Sequence, residues 1–402
     1  MPHHRRQCHA WDTSLPAAAI QLAGGREGLY ARPGTATMPS ALAALARIRA
    51  RRLQNQRLRR VGFARPENVV DWLGAMQAQE YEPATWALAL RMKGAPRRDG
   101  IERAFDEGRL LRTHVMRPTW HFVTPESIRW LQALTSQRVQ RTMATYNRKL
   151  ALDQAVLRRG VSVFEKVLRD GRYLTRAELG ERLGDAGIEA RGIRLAHLAM
   201  HGELEAVICS GPRRGRHFTY ALVAERAPAA RLLDRDEALA ELATRFLRSH
   251  GPATVRDFVW WSGLASADAR RGIAACGAAS ESIEGLTYWT VASSGRAAAR
   301  EAHAELLPIY DEYLVAYRDR AAVPHGPSAI PLMSRPQVIF QHAVVVDGCV
   351  AGTWRPAHSA RGVAVDVTLL RPLARGERGA IEEATERYAR FIGQPVTLRI
   401  GQ

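Results

Sequence analysis

Lysine, cysteine and long apolar runs are all scarce in this 402-residue chain. Lysine occurs only as Lys93, Lys149 and Lys166, so chemistry that needs a lysine amine as its nucleophile has few candidates. No cysteine falls in a CxxC or a Cys/His spacing of zinc type; the four are Cys8, Cys209, Cys276 and Cys349. We therefore expect no metal, no cofactor and reduced thiols, as is typical of a cytoplasmic protein.

No apolar stretch approaches the roughly twenty residues that a membrane-spanning helix needs. The N-terminus carries His3, His4 and two arginines before a mildly apolar patch, but Asp12, Pro16 and Gln21 interrupt that patch. This pattern argues against a signal peptide. The expected location is the cytoplasm, in association with the nucleoid.

Acidic residues are outnumbered, 40 against 58 basic ones, which gives a formal charge of +18 and a sequence pI of about 10.7. Such an excess favours a polyanionic partner, either nucleic acid or an anionic membrane surface. Nearly all of the basic residues are arginines, and a GC-rich genome alone also enriches arginine and alanine. The composition is otherwise that of a globular protein with ample material for a core.

Hydrophobic periodicity and chain breakers predict an α+β fold with four parts after an N-terminal tail. Helices followed by a two-stranded hairpin recur three times, the order of a winged helix, and the C-terminal part is β-rich. Met38 is a plausible alternative start. The predicted divisions are a tail at 1–38, winged helices at 39–124, 125–230 and 231–300, and a β-rich module at 301–402.

Four local signals support this organisation. Thr175 to Glu178 and Thr254 to Asp257 each have the form of a helix capping box, at matching places in two segments. Thr124-Pro125-Glu126 has the cap, early proline and acid of a helix start. Asp347-Gly348 between two apolar runs predicts a tight hairpin.

Gln77-Ala78-Gln79 follows an amphipathic helix predicted from Pro66 to about Met76. On a helix, residues i and i+2 diverge, whereas in extended backbone they share a face. The two amides can therefore act together only where the helix has ended. A plainer interpretation is that they satisfy free carbonyls at the helix terminus. Glu80 is the nearest carboxylate, and could be a rival general base or a solvated acid.

The predicted hairpin at Leu110–Val123 carries Arg117, Thr119 and His121. Thr119 and His121 would point together, with Trp120 opposite, as a strand that faces a ligand. The alternative is an edge hairpin in which Trp120 packs inward and the histidines are merely solvated.

A second group of candidates lies on the basic turn of the second unit: Arg213, Arg214, Arg216 and His217. Such a turn suits phosphate or minor-groove contacts, although charged turns are usually just solvated. Trp260-Trp261 is expected in the core. Asp311, Glu312 and Arg318 are expected to form a buried network that joins the winged helices to the C-terminal module.

From about Ser40 to Gln402 the chain resembles the AlkZ-like DNA glycosylases, a winged-helix family. The resemblance rests on Gln77-Ala78-Gln79 together with four longer phrases, Leu110–Val123, His250–Leu264, Leu306–Arg320 and Val345–Pro356. It implies three tandem winged helices, a concave basic face for double-stranded DNA, and monofunctional removal of alkylated purines. Gln79 places the chain with the Gln-apolar-Gln branch, which acts on bulky or crosslinking adducts, rather than the branch with Asp in second place.

The chemistry is consistent with this resemblance. A purine alkylated at N7 is cationic and leaves easily, so neutral amides suffice to position a water and stabilise charge. We expect Gln77 and Gln79 to be catalytic, the hairpin and wing residues to bind DNA, and the protein to act as a monomer. The alternative is a non-enzymatic winged-helix protein, either a repressor or a lesion-binding resistance factor. A basic membrane-surface protein is a third, weaker reading, because no strongly amphipathic helix rich in Lys and Trp is present.

Overall fold

The computed structural model describes residues 38–59, 62–291, 302–325, 330–331, 340–359 and 362–401. The predicted N-terminal tail, the end of the third predicted unit (292–300) and the start of the strand expected at Val338–Val346 lie outside these residues. In the described part of the chain, no helix is long and apolar enough to cross a membrane.

The first segment combines four helices with a small sheet. Its elements are α1 (Met38–Asn55), α2 (Pro66–Leu73), β1 (Met76–Gln77), α3 (Tyr81–Ala89), α4 (Arg98–Asp106), β2 (Leu111–His114) and β3 (Trp120–Val123). The strands are antiparallel in the order β1-β3-β2, so β3 is central. Gln77 on β1 lies opposite His121 on β3, which places the glutamine motif at the edge of this sheet.

The second segment repeats that strand order after two long helices. Its elements are α5 (Ile128–Lys149), α6 (Gln154–Val167), β4 (Leu174–Thr175), α7 (Arg176–Asp185), α8 (Gly192–Leu204), β5 (Ile208–Ser210), β6 (Thr219–Leu222) and α9 (Val223–Arg226). The sheet order is β4-β6-β5. The capping box predicted at Thr175 is confirmed, because its hydroxyl accepts from the Glu178 N–H and the Glu178 carboxylate accepts from the Thr175 N–H.

The third segment is shorter and has α10 (Arg235–His250), α11 (Val255–Ser262), α12 (Ser266–Ala275), β7 (Ala279–Ile283) and β8 (Leu286–Thr290). An isolated antiparallel bridge between Ala253 and Trp289 places the chain before α11 beside β8, as a third strand would lie. In all three segments, therefore, the last strand in the sequence lies between the first and the second. The division into three winged helices is our interpretation of this shared topology.

Two of the predicted helix starts differ in outcome. The capping box at Thr254 is confirmed, with reciprocal bonds to Asp257. The helix start predicted with Thr124 as its cap is wrong by three residues, because Ser127 is the cap residue and α5 begins at Ile128. Thr124 instead donates through its hydroxyl to the Ser127 hydroxyl, so the cap-like sequence forms a turn that precedes the helix.

The C-terminal part is a seven-stranded mixed sheet with helices beside it. Its elements are β9 (Ala304–Leu307), α13 (Glu312–Val315), β10 (Pro324–His325), β11 (Ile330–Pro331), β12 (Ala343–Val346), β13 (Cys349–Ser359), β14 (Gly362–Leu369), α14 (Glu377–Ile392) and β15 (Val396–Gly401). The path runs β11-β10-β13-β12-β9, and β14 joins β13 to β15. The Asp347-Gly348 turn between β12 and β13 is confirmed, with φ angles of 50° and 79°.

Two hydrophobic cores connect the first segment to its neighbours. One core packs α2, α3 and α4 against the C-terminal sheet, and it includes Trp86, Trp354 and Phe391. The other packs β2 and α5 against the third segment, around Phe246 and Trp261. The glutamine motif therefore lies in the segment that both cores hold, and its environment is built from three parts of the chain.

Candidate active site

The motif Gln77-Ala78-Gln79 adopts extended backbone at its start, as the sequence predicted. Helix α2 ends at Leu73, and Gly74 closes it with a φ of 87° while its N–H donates to the carbonyls of Val70 and Asp71. Strand β1 then carries Gln77 and stops there, so Gln79 lies in a bend. The prediction that the side chains of Gln77 and Gln79 point to the same face required extended backbone through both residues. Because the strand ends at Gln77, that prediction does not apply to Gln79.

Hydrogen bonds from several elements fix the backbone of this motif. The Gln77 N–H donates to Glu312 Oε1 at 2.8 Å, and the Ala78 N–H donates to the Trp120 carbonyl at 2.7 Å. Arg112 donates through Nε to the Ala78 carbonyl at 2.9 Å and through Nη2 to the next carbonyl at 3.0 Å. The loop is thus held in one conformation before any ligand arrives, which is the arrangement that electrostatic catalysis requires.

The two glutamine side chains have different surroundings. Arg117 Nη2 donates to Gln77 Oε1 at 3.1 Å, and Gln77 is only 5% exposed. The Trp120 N–H donates to Gln79 Oε1 at 3.2 Å, and Gln79 is half-buried. Because each oxygen accepts a bond from the protein, each amide nitrogen points away from its partner and can donate elsewhere. Of the two side chains, only that of Gln77 lines the cleft described next.

A cleft of about 520 Å³ opens above Gln77, between the β2–β3 turn, α5 and the third segment. One wall is apolar and includes Val255, Val259 and Trp260. Among the described residues that line it, none is acidic and five are arginines: Arg117, Arg138, Arg256, Arg270 and Arg318. A basic cleft with low-dielectric walls concentrates positive potential and attracts a polyanion.

A buried carboxylate, Glu312, lies beneath Gln77. Besides the Gln77 N–H, it accepts from Trp261 Nε1 at 2.9 Å and from His250 Nε2 at 3.3 Å. Burial alone would raise the pKa of Glu312, but the hydrogen bond and charge of His250, the hydrogen bond from the Gln77 N–H and the charge of Arg117 lower it to about 2. Burial lowers the pKa of His250, and its hydrogen bond to Glu312 acts in the opposite direction.

The expected network at Asp311 and Glu312 is confirmed, but Arg318 is not part of it. Asp311 accepts both Nη groups of Arg91 at 2.8 Å, inside the protein. The Arg318 side chain is exposed, stands 5.3 Å from the Trp260 ring and lines the cleft. The prediction for the tryptophan pair is likewise half right, because Trp261 is in the core whereas Trp260 is half-buried at the cleft wall.

The hairpin residues divide between the cleft and the interior. Arg117 and Thr119 line the cleft. His121 is completely buried, its Nδ1 lies 2.9 Å from the Thr119 carbonyl, and burial beside Arg117 lowers its pKa to about 3. The structure thus places His121 in the interior and outside the cleft lining, and its contact with DNA stays a prediction. Residues 121 to 123 of β3 are all buried, so both faces of the strand are covered over that stretch.

The basic wing also differs from its prediction. Arg213 forms ion pairs with Asp106 at 3.0 Å and with Glu102 at 3.2 Å, both on α4. These pairs neutralise its charge and connect the second segment to the first. Arg214 pairs with Glu178 at 2.7 Å. Arg216 and His217 are exposed, and none of the four wing residues lines the cleft. Arg213 is thus not an available phosphate ligand, and Arg216 and His217 remain the candidates on this turn.

Several residues of the site were missed from the sequence. Arg112 looked like an ordinary strand residue, and Arg138, Arg256 and Arg270 carry no local signal, because only the fold brings α5 and the third segment together. In the part of the chain that the structure describes, no group of three or more His, Cys, Asp or Glu side chains is arranged to hold a metal ion. The groups at the cleft floor are an amide, a hydroxyl and arginines.

Comparisons with known proteins show the family to which this chain belongs. The interstrand DNA cross-link repair glycosylase of Streptomyces sahachiroi is 28% identical over 324 residues, 75% of this chain and 85% of that protein. The solved structure of the Streptomyces sahachiroi DNA glycosylase AlkZ superposes with a TM-score of 0.71 at 24% identity, covering 89% of this chain and 99% of that one. The family model described as DNA glycosylase AlkZ-like matches residues 70–391, and the chain therefore belongs to the AlkZ-like DNA glycosylase family.

Proposed function

We propose that this protein removes N7-alkylated purines from double-stranded DNA by hydrolysis, and that Gln77 positions the attacking water. The observation that carries the proposal is the placement of Gln77, a neutral amide fixed on both its backbone and its side chain at the floor of an arginine-lined cleft. Such a group can bind and orient a water and a sugar without a proton transfer of its own.

The reaction balances without a metal or a covalent enzyme intermediate. The C1′–N9 bond breaks and its electron pair goes to the alkylated purine, whose positive charge it neutralises. The deoxyribose becomes oxocarbenium-like, and the water oxygen then bonds to C1′ and releases a proton to solvent. Gln77 Oε1, which still has a lone pair beside its bond to Arg117, accepts a hydrogen bond from that water. Gln79 lies beside the cleft rather than in its lining, and we propose that it donates its amide N–H to an oxygen of the sugar-phosphate backbone at the cleft edge.

Several features support a duplex partner. The cleft arginines come from all three segments and the C-terminal part, so a strand lying in the cleft would be contacted along its length by one protein molecule. We propose that Arg117 and Thr119 contact the damaged nucleotide and that Arg138, Arg256, Arg270 and Arg318 bind phosphates. Arg216 and His217 would contact the flanking backbone. One chain carries all of these groups, so a monomer is sufficient.

The shape of the cleft is suited to bulky adducts and crosslinks. The relative from Streptomyces sahachiroi is named for interstrand cross-link repair. The cleft beside Gln77 joins an apolar wall at Val255, Val259 and Trp260 to solvent, and an adduct on N7 could extend along that wall. We propose that the protein also unhooks crosslinks formed through purine N7, and that it serves in repair of, or resistance to, alkylating agents.

The first test is base release from a duplex with a single N7-methylguanine or a bulkier N7 adduct. The proposal expects free modified base and an abasic site that breaks only on alkali treatment, because no lysine lines the cleft to catalyse strand cleavage. A duplex with unmodified guanine is the control. Tight, salt-dependent binding of the damaged duplex without release of any N7 adduct would favour a non-enzymatic lesion-binding protein instead.

The rate of base release should be nearly constant between about pH 6 and pH 8 on a cationic N7 adduct. Glutamine does not titrate; Glu312, with a pKa of about 2, stays ionised across this range, and His121, with a pKa of about 3, stays neutral. Burial raises the pKa of Glu80, so catalysis by that carboxylate would make the rate rise with pH through its pKa. Single-turnover rates measured across this range distinguish the amide mechanism from catalysis by a carboxylate. A sigmoidal or bell-shaped profile would exclude the amide mechanism.

A further inference from the structure

The buried carboxylate of Glu312 is bound by three N–H groups and by no arginine or lysine side chain among the described residues. The Gln77 backbone and the Trp261 indole are neutral donors, and the third donor is the His250 imidazole, whose pKa burial lowers. In the described residues it forms no ion pair with an arginine or a lysine. Ionised groups in protein interiors are normally paired with an opposite charge. Burying a carboxylate without an arginine or lysine partner therefore lowers the stability of the fold, which suggests that the carboxylate has a function.

The neighbouring cations belong to other partners. Arg91 is held by both oxygens of Asp311, and Arg52 lies 3.6 Å from Asp257. Arg117 lowers the pKa of Glu312 by its charge, as His250 also does, but the Nη2 of Arg117 is bonded to Gln77 Oε1 at the cleft surface. A DNA phosphate in the cleft would neutralise Arg117, and the charge of Glu312 directly under the motif would then be less compensated.

We propose that Glu312 is a positioning residue with a fixed negative charge: it holds the Gln77 backbone and stabilises the positive deoxyribose that forms when the glycosidic bond breaks. The inference rests on the proposed glycosylase function. A charge acts over longer distances than a hydrogen bond, and a site shielded from water weakens it little. The carboxylate is fully buried and its donors are rigid, so it needs no reorganisation when positive charge develops.

The sharpest test uses binding of charged and neutral mimics, because it does not depend on turnover. A duplex containing 1-aza-2′-deoxyribose, a pyrrolidine that is protonated at neutral pH, imitates the cationic sugar. A duplex with tetrahydrofuran at the same position has nearly the same shape and no charge. The wild type is expected to bind the cationic duplex at least about 10-fold more tightly. Equal affinity of the wild type for the two would overturn the proposal, whatever any variant does.

The variants must remove the charge without creating a clash. Glu312→Gln alone would turn an NH2 group toward the Trp261 indole N–H, so the comparison is made in a Trp261→Phe background. Trp261→Phe keeps the carboxylate and the Gln77 bond, whereas Trp261→Phe with Glu312→Gln keeps an acceptor for Gln77 but loses the charge. His250 can then accept from the new amide through its other tautomer.

The double variant is expected to lose the preference for the cationic duplex, about 10-fold or more relative to Trp261→Phe, while its affinity for the tetrahydrofuran duplex changes less than about 3-fold. Base release should slow by a similar factor at saturating enzyme. A purely structural role would weaken binding of both duplexes equally, and that result would refute the inference. Base release by the wild type is judged separately, so failure of the glycosylase proposal and failure of the Glu312 proposal give different results.

Discussion

Gln77→Ala is expected to slow base release about 100- to 1,000-fold, the loss typical when one preorganised polar group is removed from an active site. The change removes the amide that faces the cleft but leaves the backbone bond to Glu312 and the arginines that hold DNA. Affinity for the damaged duplex should therefore change by less than about 3-fold. Single-turnover excision of N7-methylguanine and a parallel binding titration measure the two quantities.

Two further variants make this prediction specific. Gln79→Ala should cost less than Gln77→Ala, because Gln79 does not line the cleft and its oxygen already accepts from the Trp120 N–H. Gln140→Ala removes an amide on α5 that makes an exposed hydrogen bond to Glu205, the residue after α8, and that does not line the cleft, so it should leave the rate unchanged. Equal losses for Gln77 and Gln79 would show that both amides act on the water, and an unaffected Gln77 variant would remove this residue from the mechanism.

The sequence was sufficient for features that depend on residues close together in the chain. The capping boxes at Thr175 and Thr254 and the Asp347-Gly348 turn were predictable because three or four residues determine each of them. The end of the helix before Gln77 was predictable for the same reason. These local signals gave the order of elements and the position of the motif at an extended edge.

The surroundings of the motif could not be predicted in this way. Glu312 bonds to Gln77 across 235 positions of sequence, and no local pattern encodes that pairing. Strand alternation showed that Thr119 and His121 alternate with Trp120, but it could not show that β3 would be central and would bury His121. Arg213 was predicted to bind DNA, and its pairing was not foreseen because its acidic partner, Asp106, lies 107 positions earlier.

Arg91→Met should be the most destabilising substitution considered, at about 3 to 5 kcal/mol in the free energy of unfolding. It would leave the buried Asp311 carboxylate without either of its two bonds to the guanidinium. The pair also anchors α13, since Asp311 accepts from the Tyr313 N–H and the next residue along is Glu312. Loss of stability and loss of the Gln77 support are therefore expected together. Urea denaturation measures the first and base release the second.

The destabilisation should come from an unpaired charge rather than from the missing side chain, and a second substitution separates these causes. Asp311→Asn in the Arg91→Met background removes the buried charge and keeps an oxygen for the Tyr313 N–H, so the double variant should be more stable than Arg91→Met alone. Arg271→Ala is the matched control, because its pair with Asp236 is more than half exposed on both sides and should contribute at most about 1 kcal/mol. If the double variant is instead less stable, the interior tolerates the lone carboxylate and the same tolerance would weaken the argument that the isolated charge of Glu312 is retained for catalysis.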